Sequence, residues 1–183
     1  MTVAKTVWGY IESRDHRVMR RMNTWKAPRW IRFWMLAATR MGDGWLWYSL
    51  GAILLAVGGS RGYEAVGAAG CAGILGVLVF KVLKKLSHRE RPCQLQPHCW
   101  SKVLPPDKFS FPSGHTMSAF SIALVVSYFY PTLQWPLYFL AVSIGLSRVV
   151  LGMHFLSDVL AGAVLGSALG VASIVTFASY GLA

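Results

Sequence analysis

The sequence predicts an all-α fold, a polytopic transmembrane helical bundle of five or six spans with an N-terminal interfacial amphipathic helix. Three observations predict it. Hydrophobic residues make up 55% of the 183 positions and charged residues only 14%, unlike an ordinary soluble domain. Apolar runs recur along the chain, each near the length needed to cross about 30 Å of hydrocarbon at about 1.5 Å per residue. Eight Trp and seven Tyr suit rings that settle where lipid headgroups meet hydrocarbon.

The first element, residues 3–23, mixes Val7, Trp8, Ile11, Val18 and Met19 with Arg14, Arg17, Arg20 and Arg21. Four arginines in so short a segment do not enter hydrocarbon, so it is expected to lie along the interface. Residues 30–41 are apolar but short and carry Arg32 and Arg40, which predicts a half-inserted or interfacial helix, or a sixth span if it crosses. The five clearer spans are 44–59, 63–83, 113–131, 135–150 and 154–179. The chain therefore divides into an interfacial segment, 1–41, and a transmembrane domain, 42–183. Residues 1–29 offer no uninterrupted apolar core for a cleavable signal peptide, so insertion is expected to rest on the later spans.

Between the second and third spans, residues 84–111 hold Pro92, Pro97, Pro105 and Pro106, and such a stretch belongs outside the membrane core. In the last span Gly162, Gly166 and Gly170 recur at steps of four and clear one helical face for close helix packing. The net charge of +11 has to meet an anion. In a chain made mostly of bilayer spans that anion is a lipid headgroup or a phosphorylated substrate, not nucleic acid. Three cysteines are too few for a disulfide scaffold, and Cys71 lies in an apolar run, which leaves Cys93 and Cys99 as the one plausible pair.

Alternation of the spans brings the 84–111 loop, the start of the third span and the junction of the last two to one side of the membrane. Three groups meet there: Lys84 with Arg91 and Pro92; Pro112, Ser113, Gly114 and His115; Ser147 and Arg148 with His154 and Asp158. Cations at a membrane boundary are costly unless a polyanion or a watery cavity compensates them. His154 and Asp158, four apart on an expected helix, share a face, so the carboxylate can fix the imidazole tautomer and raise its basicity. Lys84, Arg91 and Arg148 suit phosphate oxygens. Helix N–H groups after Pro112, at Ser113 and Gly114, suit an anion, and His115 stands in the first turn where it can protonate a leaving oxygen. Lys85, Arg89 and Lys108 are expected to form a solvated basic rim. No metal and no cofactor are expected: the cations neutralise the phosphate, no carboxylate cluster suits Mg²⁺, and Cys93, His98 and Cys99 in one loop make a poor metal site.

These three groups, at these spacings, resemble the motifs of the type-2 phosphatidic acid phosphatase superfamily of membrane lipid phosphatases, whose site is shared with vanadium haloperoxidases and bacterial acid phosphatases. The resemblance covers about residues 42–170. It implies a phosphohistidine intermediate on His154, His115 as acid for the leaving group and base for water, and phosphate binding by Lys84, Arg91, Ser113, Gly114 and Arg148. The implied partner is a phosphorylated lipid: undecaprenyl diphosphate, phosphatidylglycerophosphate, phosphatidic acid or a lipid A phosphate. Set beside six-span bacterial members, the chain is expected to lack an opening transmembrane helix.

A lipid-to-lipid phosphotransferase would use the same phosphoenzyme and differ only in acceptor, whereas a non-enzymatic anion-binding membrane protein would keep the cations without needing His154 paired to Asp158. A haloperoxidase is disfavoured by size and hydropathy. No oligomeric state is assigned. The location expected is a cell or inner membrane. Its face divides the arguments: five spans with positive-inside charge place the site in the cytoplasm, whereas six spans, and the outward habit of bacterial members, place it on the periplasmic or outer face, which is the placement expected here.

Overall fold

The computed structural model describes residues 3–96 and 107–179. They are built from helices: α1 (Val3–Thr24), α2 (Arg29–Met41), α3 (Trp45–Val57), α4 (Gly59–Ser87), α5 (Pro92–Leu95), α6 (Gly114–Phe129), α7 (Gln134–Val150) and α8 (Leu156–Ser179), with a 3₁₀ turn, Pro131–Leu133, before α7. No strand occurs among the described residues.

The packing is inside-out compared with a soluble bundle. Along α4 the buried positions before Lys84 are Gly62, Ala65, Ala68, Ala72 and Gly76, all small, while Ile74, Leu75, Val77, Leu78 and Val82 are exposed. Small residues at helix contacts with large apolar ones facing out is how helices associate in lipid, where close backbone approach replaces a hydrophobic driving force. The same holds at the α6–α8 contact. A Cβ on Gly166 would stand 2.1 Å from the Met117 carbonyl oxygen and one on Gly162 2.6 Å from that of Ser113, so only glycine admits this approach. The glycine stripe at steps of four therefore serves close helix packing, as its spacing predicts, and the helix it meets is α6.

α6 is the central post, packed by α4, α7 and α8, and its buried residues lie on all sides, as befits a helix with apolar character right round. α3 pairs with α4 on one flank. By length and composition Gly59–Leu95, Pro131–Val150 and Leu156–Ser179 are able to cross a membrane, and Trp45–Val57 and Gly114–Phe129 are shorter apolar helices. At 13 residues α3 is about 20 Å long, short of a full crossing unless the bilayer thins around it.

The segment 30–41 lies within α2, which packs on the C-terminal half of α7: Met35 joins Val150, Leu151 and Met153 in one apolar cluster, and the Trp34 indole N–H donates to Ser143 Oγ at 3.3 Å. α1 packs against α7 and α8. Both N-terminal helices thus gather at the end of the bundle where α4 and α7 finish and α6 and α8 begin. The expected start of the last span at residue 154 needs correction. The helix begins at Leu156, because Gly152 turns the chain at φ 68° and Asp158 Oδ2 takes the Phe155 N–H at 2.8 Å, so His154 lies in the connecting turn.

Candidate active site

Lys84 ends the long α4 and is buried there, its ammonium over the Phe80 ring at 4.3 Å from the centroid. Arg91 follows from the loop just before α5 and is almost fully enclosed. Its Nη1 donates to the Met153 carbonyl at 2.7 Å and lies 3.1 Å from His154 Nε2. Arg148, in the last turn of α7, donates from Nη1 to Thr39 Oγ1 of α2 at 2.7 Å, and its buried Nε has no hydrogen-bond partner among the described residues. A buried guanidinium with an unmatched donor is ready for an anion.

His154 is enclosed between these cations and Asp158. Arginine has only donors, so Nε2 facing Arg91 must be the acceptor, and the ring proton belongs on Nδ1. Nδ1 faces Asp158 Oδ2 at 3.7 Å, an electrostatic contact longer than a hydrogen bond. The pairing read from the spacing is present, but the reason differs, since the two residues do not share a helix face. Instead Asp158, in the first turn of α8, looks back over the turn that carries His154. Burial disfavours the imidazolium, and Arg91 and Arg148 repel it. Together these outweigh Asp158 and push the His154 pKa down to about 4.

At the start of α6 the expectation needs a second correction. The Ser113 N–H is already used, donating to the Asp158 carbonyl at 3.1 Å, and its hydroxyl pairs with Thr116 Oγ1 at 2.9 Å, so the fully buried Ser113 braces the site from behind. Gly114 and His115 do reach the cavity. His115 is 22% exposed at its side chain, with Nε2 2.9 Å from Asp43 Oδ1.

Four residues of the site escaped the sequence reading. Asp43, between α2 and α3, partners His115, and Thr39 holds Arg148. Asp107 accepts from Lys84 Nζ at 2.6 Å and from Arg91 Nη2. Burial alone would raise the Asp107 pKa, but those hydrogen bonds and charges hold the carboxyl below its usual range. The fourth is Asp15 of α1, which meets Arg89, and Arg89 is no solvated rim residue: its side chain is 12% exposed and bonds to both Asp15 and Asp158. Lys85 and Lys108 are exposed, as expected for a rim. No spacing signals Asp15, Thr39, Asp43 or Asp107, because each comes from a segment joined to the site only by folding. The Cys93–Cys99 pairing that the sequence leaves open involves Cys99, which lies outside the described residues, as does His98.

Lys84, Arg91, His115, Arg148 and His154 line one end of a cavity of about 1050 Å³. From there it runs between α3, α4 and α6 past Phe80, Val77, Leu55, Leu54 and Val66 to Ala65. Lys84 and Ala65 are 19 residues apart on α4, about 28 Å along its axis, which is nearly the depth of the hydrocarbon. A charged mouth thus opens onto an apolar slot.

The sequence pattern of the PAP2 superfamily matches residues 65–180, more than half of the chain. The chain belongs to that superfamily. Among its relatives, phosphatidylglycerophosphatase B of Bacillus subtilis is 39% identical over 97 residues, 47% of this chain and 45% of that protein. The chain therefore aligns with under half the length of this curated relative. Among solved structures, LpxE of Aquifex aeolicus has a TM-score of 0.74 at 27% identity, covering 86% of this chain and 93% of that one. A transmembrane PAP2 type phosphatidylglycerolphosphate phosphatase from Bacillus subtilis has a TM-score of 0.71 at 26% identity, covering 93% and 87%. Together with its apolar helices, these likenesses make the chain an integral membrane protein. Every candidate residue named from the sequence falls inside the PAP2 match, whereas Asp15, Thr39 and Asp43 precede it.

Proposed function

We propose that this chain is a membrane lipid phosphatase that removes the terminal phosphate of a lipid monoester or diphosphate through a phosphohistidine on His154. The observation that carries the reading is the meeting of Lys84, Arg91 and Arg148 with two histidines at the mouth of an apolar slot as deep as a hydrocarbon layer. A phosphate on an apolar anchor is the ligand class that matches both ends.

In the proposed reaction the phosphate takes over the donors that Lys84 and Arg91 now give to Asp107, and Arg148 adds its unmatched Nε–H. Drawing Arg91 onto the phosphate frees the Nε2 lone pair of His154. That nitrogen attacks phosphorus, the N–P bond forms as the P–O bond to the lipid breaks, and His115 gives its proton to the leaving oxygen. Water then attacks phosphorus, its proton passes to His115, the N–P bond breaks, and inorganic phosphate leaves. The cations stabilise the charge of both transition states, and no step needs a metal.

The substrate panel is phosphatidylglycerophosphate, undecaprenyl diphosphate, phosphatidic acid and a lipid A phosphate, with the first placed at the head because a relative carries it in its name. The proposed topology has α3, α4, α6, α7 and α8 crossing, with residues 1–41 at the surface beside the site. For the face we keep the outer placement that the resemblance implies. Basic residues of α1 and α2 crowd the site end and Arg61 stands near the other, so the positive-inside rule points the opposite way. Cysteines placed singly at Lys108 and Arg61, labelled in intact cells with an impermeant reagent, separate the two: labelling at Arg61 alone overturns the outer placement.

The test of activity is phosphate release by purified protein across the panel in EDTA, with and without vanadate and with His154→Ala as blank. Release by the intact protein, blocked by vanadate, is expected. Binding without release, or release that needs one added metal, would overturn the proposal.

A further inference from the structure

α1 lies outside the PAP2 match, yet it inserts a carboxylate behind the nucleophile. Asp15 is 3% exposed on a helix whose neighbours Arg14 and Arg17 face solvent. Its Oδ1 accepts the Ser157 N–H at 3.0 Å, and its Oδ2 accepts the Ser157 hydroxyl and Arg89 Nη2, the latter at 2.7 Å. Arg89 then donates from Nη1 to Asp158 Oδ1 at 2.6 Å, and its guanidinium lies over the Phe155 ring, 4.3 Å from the centroid. The remaining oxygen of Asp158 accepts the Phe155 N–H and faces His154 Nδ1.

The order of these contacts is what matters. Two fixed donors, Arg89 on Oδ1 and Phe155 N–H on Oδ2, stop the Asp158 carboxylate from rotating, so Oδ2 stays aimed at the histidine proton. A guanidinium bonded to Asp158 alone would neutralise it and weaken its hold on that proton. Asp15 takes half of the arginine fork and leaves Asp158 its charge. Anchoring α1 does not need such a relay, because buried ions are costly and apolar residues of similar size would serve as well or better.

We propose that Asp15 and Arg89 are positioning residues for His154, acting through Asp158, so that the surface helix α1 is part of the active site. This rests on the phosphohistidine reading above.

The test is steady-state kinetics of purified full-length variants on the lipid substrate, with the vanadate inhibition constant measured alongside. Asp15→Asn keeps the shape and loses the charge. It should lower kcat roughly tenfold, the scale expected when an outer partner of a working histidine is lost, with KM and vanadate inhibition unchanged. Asp15→Glu should recover most of the rate. Arg89→Lys keeps a cation without the fork and should lower kcat similarly, and the double variant should be little worse than either single one. A folded Asp15→Asn enzyme within twofold of wild-type kcat overturns the proposal, as does a kcat loss matched by loss of vanadate binding. If Asp15→Asn does not fold, Arg89→Lys decides by the same criteria. Should His154→Ala itself turn over, the nucleophile assignment fails and this proposal with it. Should His154→Ala be dead while Asp15→Asn and Arg89→Lys run at wild-type kcat, only the positioning role fails.

Discussion

The two histidines line the same cavity but are held in opposite ways. His154 is enclosed, with Arg91 on one nitrogen, Asp158 facing the other, and Arg89 and Asp15 stacked behind. His115 sits at the open start of α6 with one carboxylate beside it, Asp43, which is itself 44% exposed. The contrast fits two different tasks. A nucleophile must present one lone pair in one direction and gains from a rigid surround, whereas a group that gives a proton to a leaving oxygen and takes one from water has to be reached by both.

Removing the enclosed histidine breaks the comparison most severely. His154→Ala should lower phosphate release by ~10³-fold or more, since the proposed reaction passes the phosphoryl group through this nitrogen. Initial rates and acid-quenched trapping of labelled phosphoenzyme check this; label found on His115 would reverse the two roles.

Removing the open histidine should cost less, and by an amount set by the substrate. His115→Ala is expected to lower kcat ~10²-fold on a lipid alkoxide, within the usual range for general acid catalysis. On an aryl phosphate, whose leaving oxygen is already stable, the loss should shrink severalfold. An equal loss on both substrates would place His115 in binding, not proton transfer.

The same contrast explains what the sequence could tell. The spacings of Lys84 to Arg91, Pro112 to His115 and Arg148 to Asp158 marked the cavity mouth, because each group lies within a few residues of a helix end and local geometry carries it there. The glycine stripe of α8 was legible for a similar reason: a step of four is a face wherever the helix packs. The carboxylates other than Asp158 were not legible. Asp15 sits in a basic amphipathic helix, where an acid among arginines reads as a solvated charge, and it meets Ser157 from 142 residues away. Asp43 sits in a glycine-flanked turn, and Asp107 in a loop rich in proline. Arg89, two residues before Arg91, reads as more of the same basic rim, and only its buried partners distinguish it. By periodicity alone the turn holding His154 reads as helix, because the pattern does not show that Asp158 stops the helix at Leu156.

A pH profile sharpens the comparison further. With the His154 pKa pushed down to about 4 by burial and by Arg91 and Arg148, against the pull of Asp158, its imidazole stays neutral through the physiological range. Protonation blocks attack, so kcat/KM, corrected for ionisation of the substrate, should fall on the acid side only as pH drops through about 4, by tenfold per unit below it. A limb from this group near 6.5, the ordinary histidine value, would mean that the enclosure does not tune it.

The smallest effect is expected at Asp43. Its carboxylate lies 2.9 Å from His115 Nε2, so it can steady the ring through a charge-assisted hydrogen bond. Because Asp43 is half in solvent, much of that charge is screened, and a pair of this exposure is worth little compared with the enclosed Asp158. Asp43→Asn keeps a hydrogen-bonding oxygen and removes the charge. It should lower kcat on the lipid by roughly threefold to tenfold, with no change on an aryl phosphate and a smaller difference at high salt. Asp158→Asn, by contrast, should lose far more on both substrates and show no salt dependence, since its site is closed to ions. If the two aspartate variants lose rate equally and respond equally to salt, the two histidines are not held differently in any way that matters to the chemistry.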